Sequence, residues 1–330
     1  MSSGLVFITG ATGFIGAATA LAVLKAGYRL KISVRKDEQI PKLKDIFSDY
    51  AGNFDFVIVP DITAEGAFTK ALEGVTYVLH MASPLARSTN PDDIFPPAIQ
   101  GTVGILKDAA KIPTITKVVI TSSIAALVPL SGAPEGAVVK EDTDWDLSVD
   151  PKGDFKAEND FATSMKVYSA SKLLANQASW DFMEKQKPGF ALVTIHPSLV
   201  YGKNLIQQSA KDLEGSTNGL LFSSIMNGAM SDGALLSVYV GDVANAHVLA
   251  LKPEIKSGSR YLVSGHPYTW KDVVEVLEKH YTGVPYKLVA AENHPTKVDT
   301  TRAETELGIK WASLETVVTE VMNQQLAFFS

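Results

Sequence analysis

The chain has 330 residues, 46% of them hydrophobic and 20% charged, with a formal net charge of −6. Such a composition fits a soluble globular protein with one full core, or one domain carrying a smaller lobe. The scattered charges argue against a nucleic-acid partner, the absence of cysteine removes disulfides and thiolate chemistry, and no apolar run reaches the roughly 20 residues of a membrane span.

A strand-like run opens the chain at Leu5, so no secretory leader is expected and a cytoplasmic location is the default. The run Leu5–Thr9 is apolar and β-branched, as for a strand buried on both faces. It is followed by a glycine-rich turn, a predicted helix over residues 14–26 closed by Gly27, and a second strand over 30–34. Strand, turn, helix and strand within about 30 residues make the βαβ unit of a parallel sheet. The alternation continues with strands at 54–60, 75–80, Lys117–Thr121 and 191–195, and with helices at 66–72, 94–110 and 164–185. The fold class read from this is α/β, a Rossmann-type doubly wound parallel sheet of about seven strands. Residues 130–160, polar and acidic, read as a lid or excursion. Residues 1–202 are assigned to the dinucleotide-binding domain with the catalytic residues, with 237–250 and part of 260–265 returning to it. Residues 203–330 form most of a smaller substrate-binding lobe.

Glycines 10, 13 and 16 give the pattern G-x-x-G-x-x-G between a strand and a helix. The first allows a tight turn, the second close approach of a pyrophosphate, and the third close helix–strand packing. The turn and helix start (Gly10, Thr12, Gly13, Phe14, Ile15, Gly16) would hold the anion through free N–H groups and the helix dipole. No Gly-Lys-Ser/Thr follows, which excludes a Walker loop. The second strand ends in Ser33-Val34-Arg35-Lys36 rather than in the carboxylate of an NAD site. Arg35, with Lys42 about a turn beyond, suits the 2′-phosphate of NADPH, while Asp37 keeps NADH as the lesser option. Asp61 and Ile62 are placed to meet the adenine. His80 reads as a core histidine rather than a catalyst.

One Tyr-x-x-x-Lys pair, Tyr168 and Lys172, lies on the long helix after Thr121-Ser122-Ser123. About one such pair arises by chance in a chain of this composition, so its weight comes from this position. The i, i+4 spacing puts both on one helix face. A free phenol holds its proton at neutral pH, and a nearby ammonium favours the phenolate. Lys172 could also hold ribose hydroxyls, and Ser123 a carbonyl oxygen.

These segments, with Val59-Pro60-Asp61-Ile62, residues 79–84 and 196–202, and Gly241-Asp242-Val243-Ala244-Asn245-Ala246-His247, resemble the extended short-chain dehydrogenases/reductases. Within that family the chain is most similar to the dihydroflavonol 4-reductase branch and its fungal aldehyde/carbonyl reductases. The resemblance implies hydride transfer from NADPH to a carbonyl carbon, with Ser123 polarising the carbonyl, Tyr168 delivering the proton and Lys172 tuning Tyr168 and anchoring the ribose. It adds Ala82, Ser83, Thr121, Pro197, Leu199 and Val200 as cofactor contacts. Plant flavonoid enzymes of this branch carry asparagine five residues after the serine, where this chain has Val128. That departure favours an apolar or polyketide-like carbonyl, with Leu85, Val128, Tyr201 and the loop 215–222 as candidate pocket residues.

The acidic run from Glu141 to Asp146 reads as a solvated loop anchored by Trp145. The histidines lack metal spacing, so no metal is expected, and no Gly-x-Ser-x-Gly supports a serine hydrolase. An epimerase or hydroxysteroid-type dehydrogenase would share Ser/Tyr/Lys but usually takes NAD, which Arg35 argues against. A non-catalytic NAD(P) sensor would typically lack the tyrosine or the lysine. The partner is a small-molecule carbonyl, and the chain is read as a monomer or homodimer.

Overall fold

The side chains of Leu-Val-Phe-Ile-Thr suit a pleated surface better than a helix, and they form β1 (Leu5–Thr9). The structure, a computed structural model, describes residues 4–83, 88–228, 235–290 and 296–329. After the glycine turn comes α1 (Phe14–Lys25), ended by Gly27 at φ 83°. Next are β2 (Arg29–Val34), the short α2 (Ile40–Ile46) and β3 (Phe54–Ile58). They lead to β4 (Tyr77–His80), α3 (Pro91–Ala109), β5 (Lys117–Thr121) and a two-residue β6 (Val138–Val139). The 27-residue α4 (Asp160–Gln186) precedes β7 (Ala191–Pro197) and β8 (Leu199–Tyr201). The remainder is α5 (Thr217–Asn227), β9 (Ser237–Tyr239), α6 (Val240–Leu249), β10 (Arg260–Val263), α7 (Trp270–His280), β11 (Lys297–Val298) and α8 (Leu314–Phe329).

Seven strands build one parallel sheet in the order β10-β7-β5-β4-β1-β2-β3. Alternation sorts their side chains onto two buried faces. Ile8, Ile32, Leu79, Val119 and Val193 share a core with Ala20 and Val23 of α1 and Val243 and Ala246 of α6. Phe7, Val78, Val118 and Leu192 share another with Ile105 and Leu106 of α3 and Phe182 of α4. Each fully buried large side chain contributes about 1.5–3 kcal/mol, and both faces are covered. This is the Rossmann-type doubly wound sheet expected from the alternation. Strand order reverses between β1 and β4, so their carboxyl ends frame the crevice where such sheets take ligands.

A separate core lies under the later segments. Tyr201, Leu221, Ile225, Trp270, Val273, Leu277, Val318 and Met322 are its centre, drawn from β8, α5, α7 and α8.

Two predicted segments take a different form. Residues 66–72 form successive turns, not a helix. The buried Asp108 carboxylate of α3 accepts from Phe68 N–H (3.0 Å) and Thr69 O–H (3.1 Å), and Gly66 takes φ 70°. Residues 215–222 are not a loop. Gly215 makes the turn, and α5 begins at Thr217 with Ser216 Oγ accepting from Gly219 N–H at 3.0 Å. Leu221 and Phe222 then point into the core.

The excursion over 130–160 is exposed over most of its length and tied down at Val139, Glu141 and Phe155. Phe155 stacks edge-on against Phe95 at 5.2 Å between ring centres, and β6 pairs with β11. Glu141, 7% exposed, accepts from Leu262 N–H of the edge strand β10 at 2.7 Å. The acidic run is therefore not solvated throughout: its first carboxylate is buried, and burial raises its pKa.

Candidate active site

The glycine turn is fixed by sterics. Gly10 adopts φ 77°, and a Cβ there would lie 2.8 Å from Ala82 N. A Cβ on Gly16 would meet Gly10 O at 2.0 Å, so α1 can press against β1 only with glycine at that position. Gly13 N–H donates to Gly10 O at 2.9 Å, and no side chain caps α1. Thr12, Phe14 and Ile15 are half-buried around this turn. A tight glycine cradle leading into an uncapped helix start fits a dinucleotide pyrophosphate.

Arg35 stands exposed at the end of β2, and its guanidinium makes no ion pair among the described residues. Its backbone N–H donates to Gln39 Oε1 at 2.9 Å. Asp61 turns inward on its own loop: Oδ1 accepts from Thr63 O–H (2.7 Å) and N–H (2.8 Å). Those bonds, with the nearby Arg35 charge, hold its carboxyl below the usual range. Ile62 packs its Cδ1 over Gly101 of α3. Lys42 is half-buried on α2, where its charge reaches Asp212 beyond β8.

The ends of β1 and β4 are tied together. Thr9 Oγ1 accepts from Met81 N–H (3.1 Å) and Ala82 N–H (3.0 Å), which directs its proton to His80 Nδ1 at 3.0 Å. Nε2 of His80 has no hydrogen-bond partner among the described residues, and the ring borders a cavity of about 20 Å³ with Ser122, Lys172, Asn176 and Thr194. Burial, aided by the Lys172 charge, lowers the His80 pKa to about 3.

Helix α4 brings the chemistry-bearing pair to this edge. Asn159 caps it by accepting from Ala162 N–H at 2.8 Å, and Lys187 ends it at φ 45°. One stripe of the helix carries Phe161, Met165, Tyr168, Lys172, Asn176 and Ser179 in succession. Phe161 (57%) and Met165 (37%) are exposed; Tyr168 is half-buried, and Lys172 is 7% exposed. The Lys172 ammonium lies 5.4 Å from the Tyr168 ring centre and donates to Ser83 Oγ at 2.9 Å.

Ser123 caps a one-turn helix (Ile124–Ala126) that packs against α4. Its Oγ accepts from Ala125 N–H at 3.2 Å, which leaves the hydroxyl proton free to donate elsewhere. Thr121, two residues earlier, pairs with His247 Nε2 at 2.7 Å. Pro197 ends β7, while Leu199 and Val200 lie on β8, half-buried and buried respectively. Val128 packs on Leu127, Val139 and Leu262. Tyr201 differs from expectation: at 3% exposed it belongs to the second core, and burial raises its pKa. Leu85 lies outside the described residues.

Several positioning groups escaped the sequence reading. Asn218 clasps Gly202, accepting its N–H (3.2 Å) and donating to its carbonyl (2.7 Å). Glu320 of α8 takes Lys203 N–H and Tyr239 O–H, both at 2.9 Å. No local signal marks these polar residues, which lie 16 to 117 positions from their partners.

The 3-beta hydroxysteroid dehydrogenase/isomerase family matches residues 7–296. The chain belongs to that family. The ketoreductase sphI of Aspergillus fumigatus is 47% identical over 99% of both chains. The ketoreductase CTB6 of Cercospora beticola is 30% identical, over 99% of this chain and 96% of its own. Among solved structures, yeast methylglyoxal/isovaleraldehyde reductase Gre2, complexed with NADPH, is 25% identical with a TM-score of 0.81. That likeness covers 98% of this chain and 99% of Gre2. These relatives fall in the fungal carbonyl-reductase branch anticipated from the motifs.

Proposed function

We propose that this chain is an NADPH-dependent reductase that turns an aldehyde or ketone into an alcohol, with Tyr168 as proton donor and an apolar, polyketide-like carbonyl as substrate. The oxidoreductase class and the cofactor rest on the whole-length likeness to named ketoreductases and to a reductase complexed with NADPH. One observation carries the assignment of residues: Lys172 stands beside Tyr168 and bonds Ser83 at the carboxyl end of β4, next to the strand-order reversal.

When bound, NADPH supplies the hydride that adds to the carbonyl carbon. The side chains handle the oxygen. Ser123 donates its free hydroxyl proton as a hydrogen bond to the substrate oxygen and orients it. Tyr168 transfers its phenolic proton to that oxygen as negative charge builds there. The Lys172 ammonium favours the phenolate left behind. Such acid–base help contributes about 10²–10⁴ in rate. Arg35, with no ion pair among the described residues, and Lys42 serve the 2′-phosphate. Gly10 to Gly16 serve the pyrophosphate; Asp61 and Ile62 the adenine; Ala82, Ser83, Thr121, Pro197, Leu199 and Val200 the nicotinamide half.

The substrate assignment draws on Val128 and its apolar surroundings and on exposed Phe161 and Met165, which continue the Tyr168 stripe outward. We assign residues 203–330 mainly to a substrate lobe, with α6 and β10 belonging to the sheet.

The test is nicotinamide oxidation with aliphatic and aryl aldehydes, ketones and β-keto esters, comparing wild type with Arg35→Ala. Turnover should favour NADPH over NADH in the wild type. Arg35→Ala should weaken NADPH by about 10–100-fold, the value of one charge-assisted contact, and leave NADH unchanged. Equal use of both nucleotides by the wild type would contradict the phosphate-reading role.

A further inference from the structure

Two buried histidines lie against the segment that delivers Ser123, and neither has a role in the chemistry described above. His196 and His247 are both 0% exposed. His196 Nδ1 is 3.1 Å from the backbone carbonyl of Ser123, and its Nε2 is 2.8 Å from Thr194 Oγ1. A carbonyl only accepts, so Nδ1 carries the proton. In a neutral ring Nε2 must then accept, and Thr194 donates to it. The same logic fixes His247: Nδ1–H donates to Val243 O at 2.7 Å, and Nε2 accepts from Thr121 O–H at 2.7 Å.

Both rings are neutral. Burial lowers the His196 pKa to about 4, against a partial pull upward from the Ser123 carbonyl; the charges of Arg260 and Lys172 add to the lowering. Burial lowers His247 to about 4 as well. The segment from Thr121 to Ser123 is thus held from β7 at its far end and from α6 at its near end. Among the described residues Ser123 Oγ has one hydrogen bond, from Ala125 N–H.

We propose that His196 is a positioning residue for Ser123: its Nδ1–H holds the Ser123 carbonyl and thereby aims the Ser123 hydroxyl at the substrate oxygen, with His247 steadying Thr121 at the other end. The proposal rests on the reading of Ser123 as the residue that binds the carbonyl. His196 touches neither substrate nor cofactor in this scheme, so its effect falls on the chemical step and not on NADPH affinity.

The test compares two polar replacements of similar demand on the core. In His196→Asn the amide nitrogen sits near the place of Nδ1 and can still donate to Ser123 O. In His196→Gln the amide reaches toward Thr194 and leaves that carbonyl with the Ala126 N–H (3.0 Å) but without the donor from β7. His196→Gln should lose about 10²-fold in kcat, the cost of a misplaced reacting group, with the NADPH dissociation constant unchanged. His196→Asn should recover most of that loss. Equal kcat in the two variants, or losses that merely follow melting temperature, would overturn the proposal. Nitrogen NMR of the wild-type imidazoles at neutral pH gives a readout independent of any variant. The Nδ1–H tautomer is expected at His196, and the Nε2–H tautomer would overturn the assignment. Ser123→Ala separates the two claims. If it keeps full activity, the role of Ser123 fails. If it loses activity while His196→Gln does not, only the role of His196 fails.

Discussion

The proposed cofactor edge and the proposed substrate side are built by different means. At the cofactor edge, Gly10 and Gly16 set a turn that no side chain fits, and strand register brings Thr9 against His80. On the substrate side, the chain after β8 is held by side chains far away in sequence. Glu320 takes Lys203 N–H; Gln324 exchanges two bonds with the backbone of Asn204; Gln325 pairs reciprocally with Gln207. The first kind of constraint is backbone geometry and changes little without loss of the site. The second is a set of replaceable polar ties on a common frame, which suits the substrate lobe proposed above.

The sharpest way to break this comparison is Gly16→Ala. A Cβ there would lie 2.0 Å from Gly10 O, so the turn must open. The expected cost is about 3 kcal/mol or more in stability, with NADPH binding lost. Wild-type nucleotide affinity in this variant, by fluorescence titration, would show that the turn is not the cradle.

Acid titration probes the same edge. His80, His196 and His247 have folded pKa values of about 3, 4 and 4, against about 6.5 unfolded. The unfolded chain therefore binds more protons between these values. The stabilisation is fully present above about pH 6.5 and is lost as pH falls toward the folded values, roughly 1.4 kcal/mol per unit for each ring. Glu141 and Asp242, raised by burial, act in the opposite sense. Urea midpoints should fall steeply between about pH 6.5 and 4.5, and a flat profile would contradict neutral buried rings.

The smallest expected effect lies on the substrate side. Glu320→Ala removes acceptors for Lys203 N–H and Tyr239 O–H. A loss of about 1–3 kcal/mol is expected, with a raised substrate KM and an unchanged NADPH dissociation constant. Altered NADPH affinity would show that the two regions are not independent.

The contrast also explains what could be read from the chain. The seven sheet strands were legible because runs such as residues 117–121 are apolar on both faces, and the glycine turn because its spacing has a steric meaning. Residues 66–72 failed because Asp108, about 40 positions away, takes the Phe68 N–H and the Thr69 hydroxyl. Residues 215–222 failed because a glycine and a serine read as loop when the serine caps a helix. Tyr201 was read as a candidate pocket residue, yet α5, α7 and α8 close over it. His80 was read as a satisfied core histidine; one ring nitrogen bonds Thr9 and the other has no hydrogen-bond partner among the described residues.

The central claim is that Tyr168 delivers the proton in carbonyl reduction at a site that binds NADPH without it. The most direct measurement is Tyr168→Phe, with NADPH affinity and single-turnover rate determined on the same preparation. The account predicts wild-type affinity and a rate lower by about 10²–10⁴. Reduction at the wild-type rate by Tyr168→Phe would contradict it.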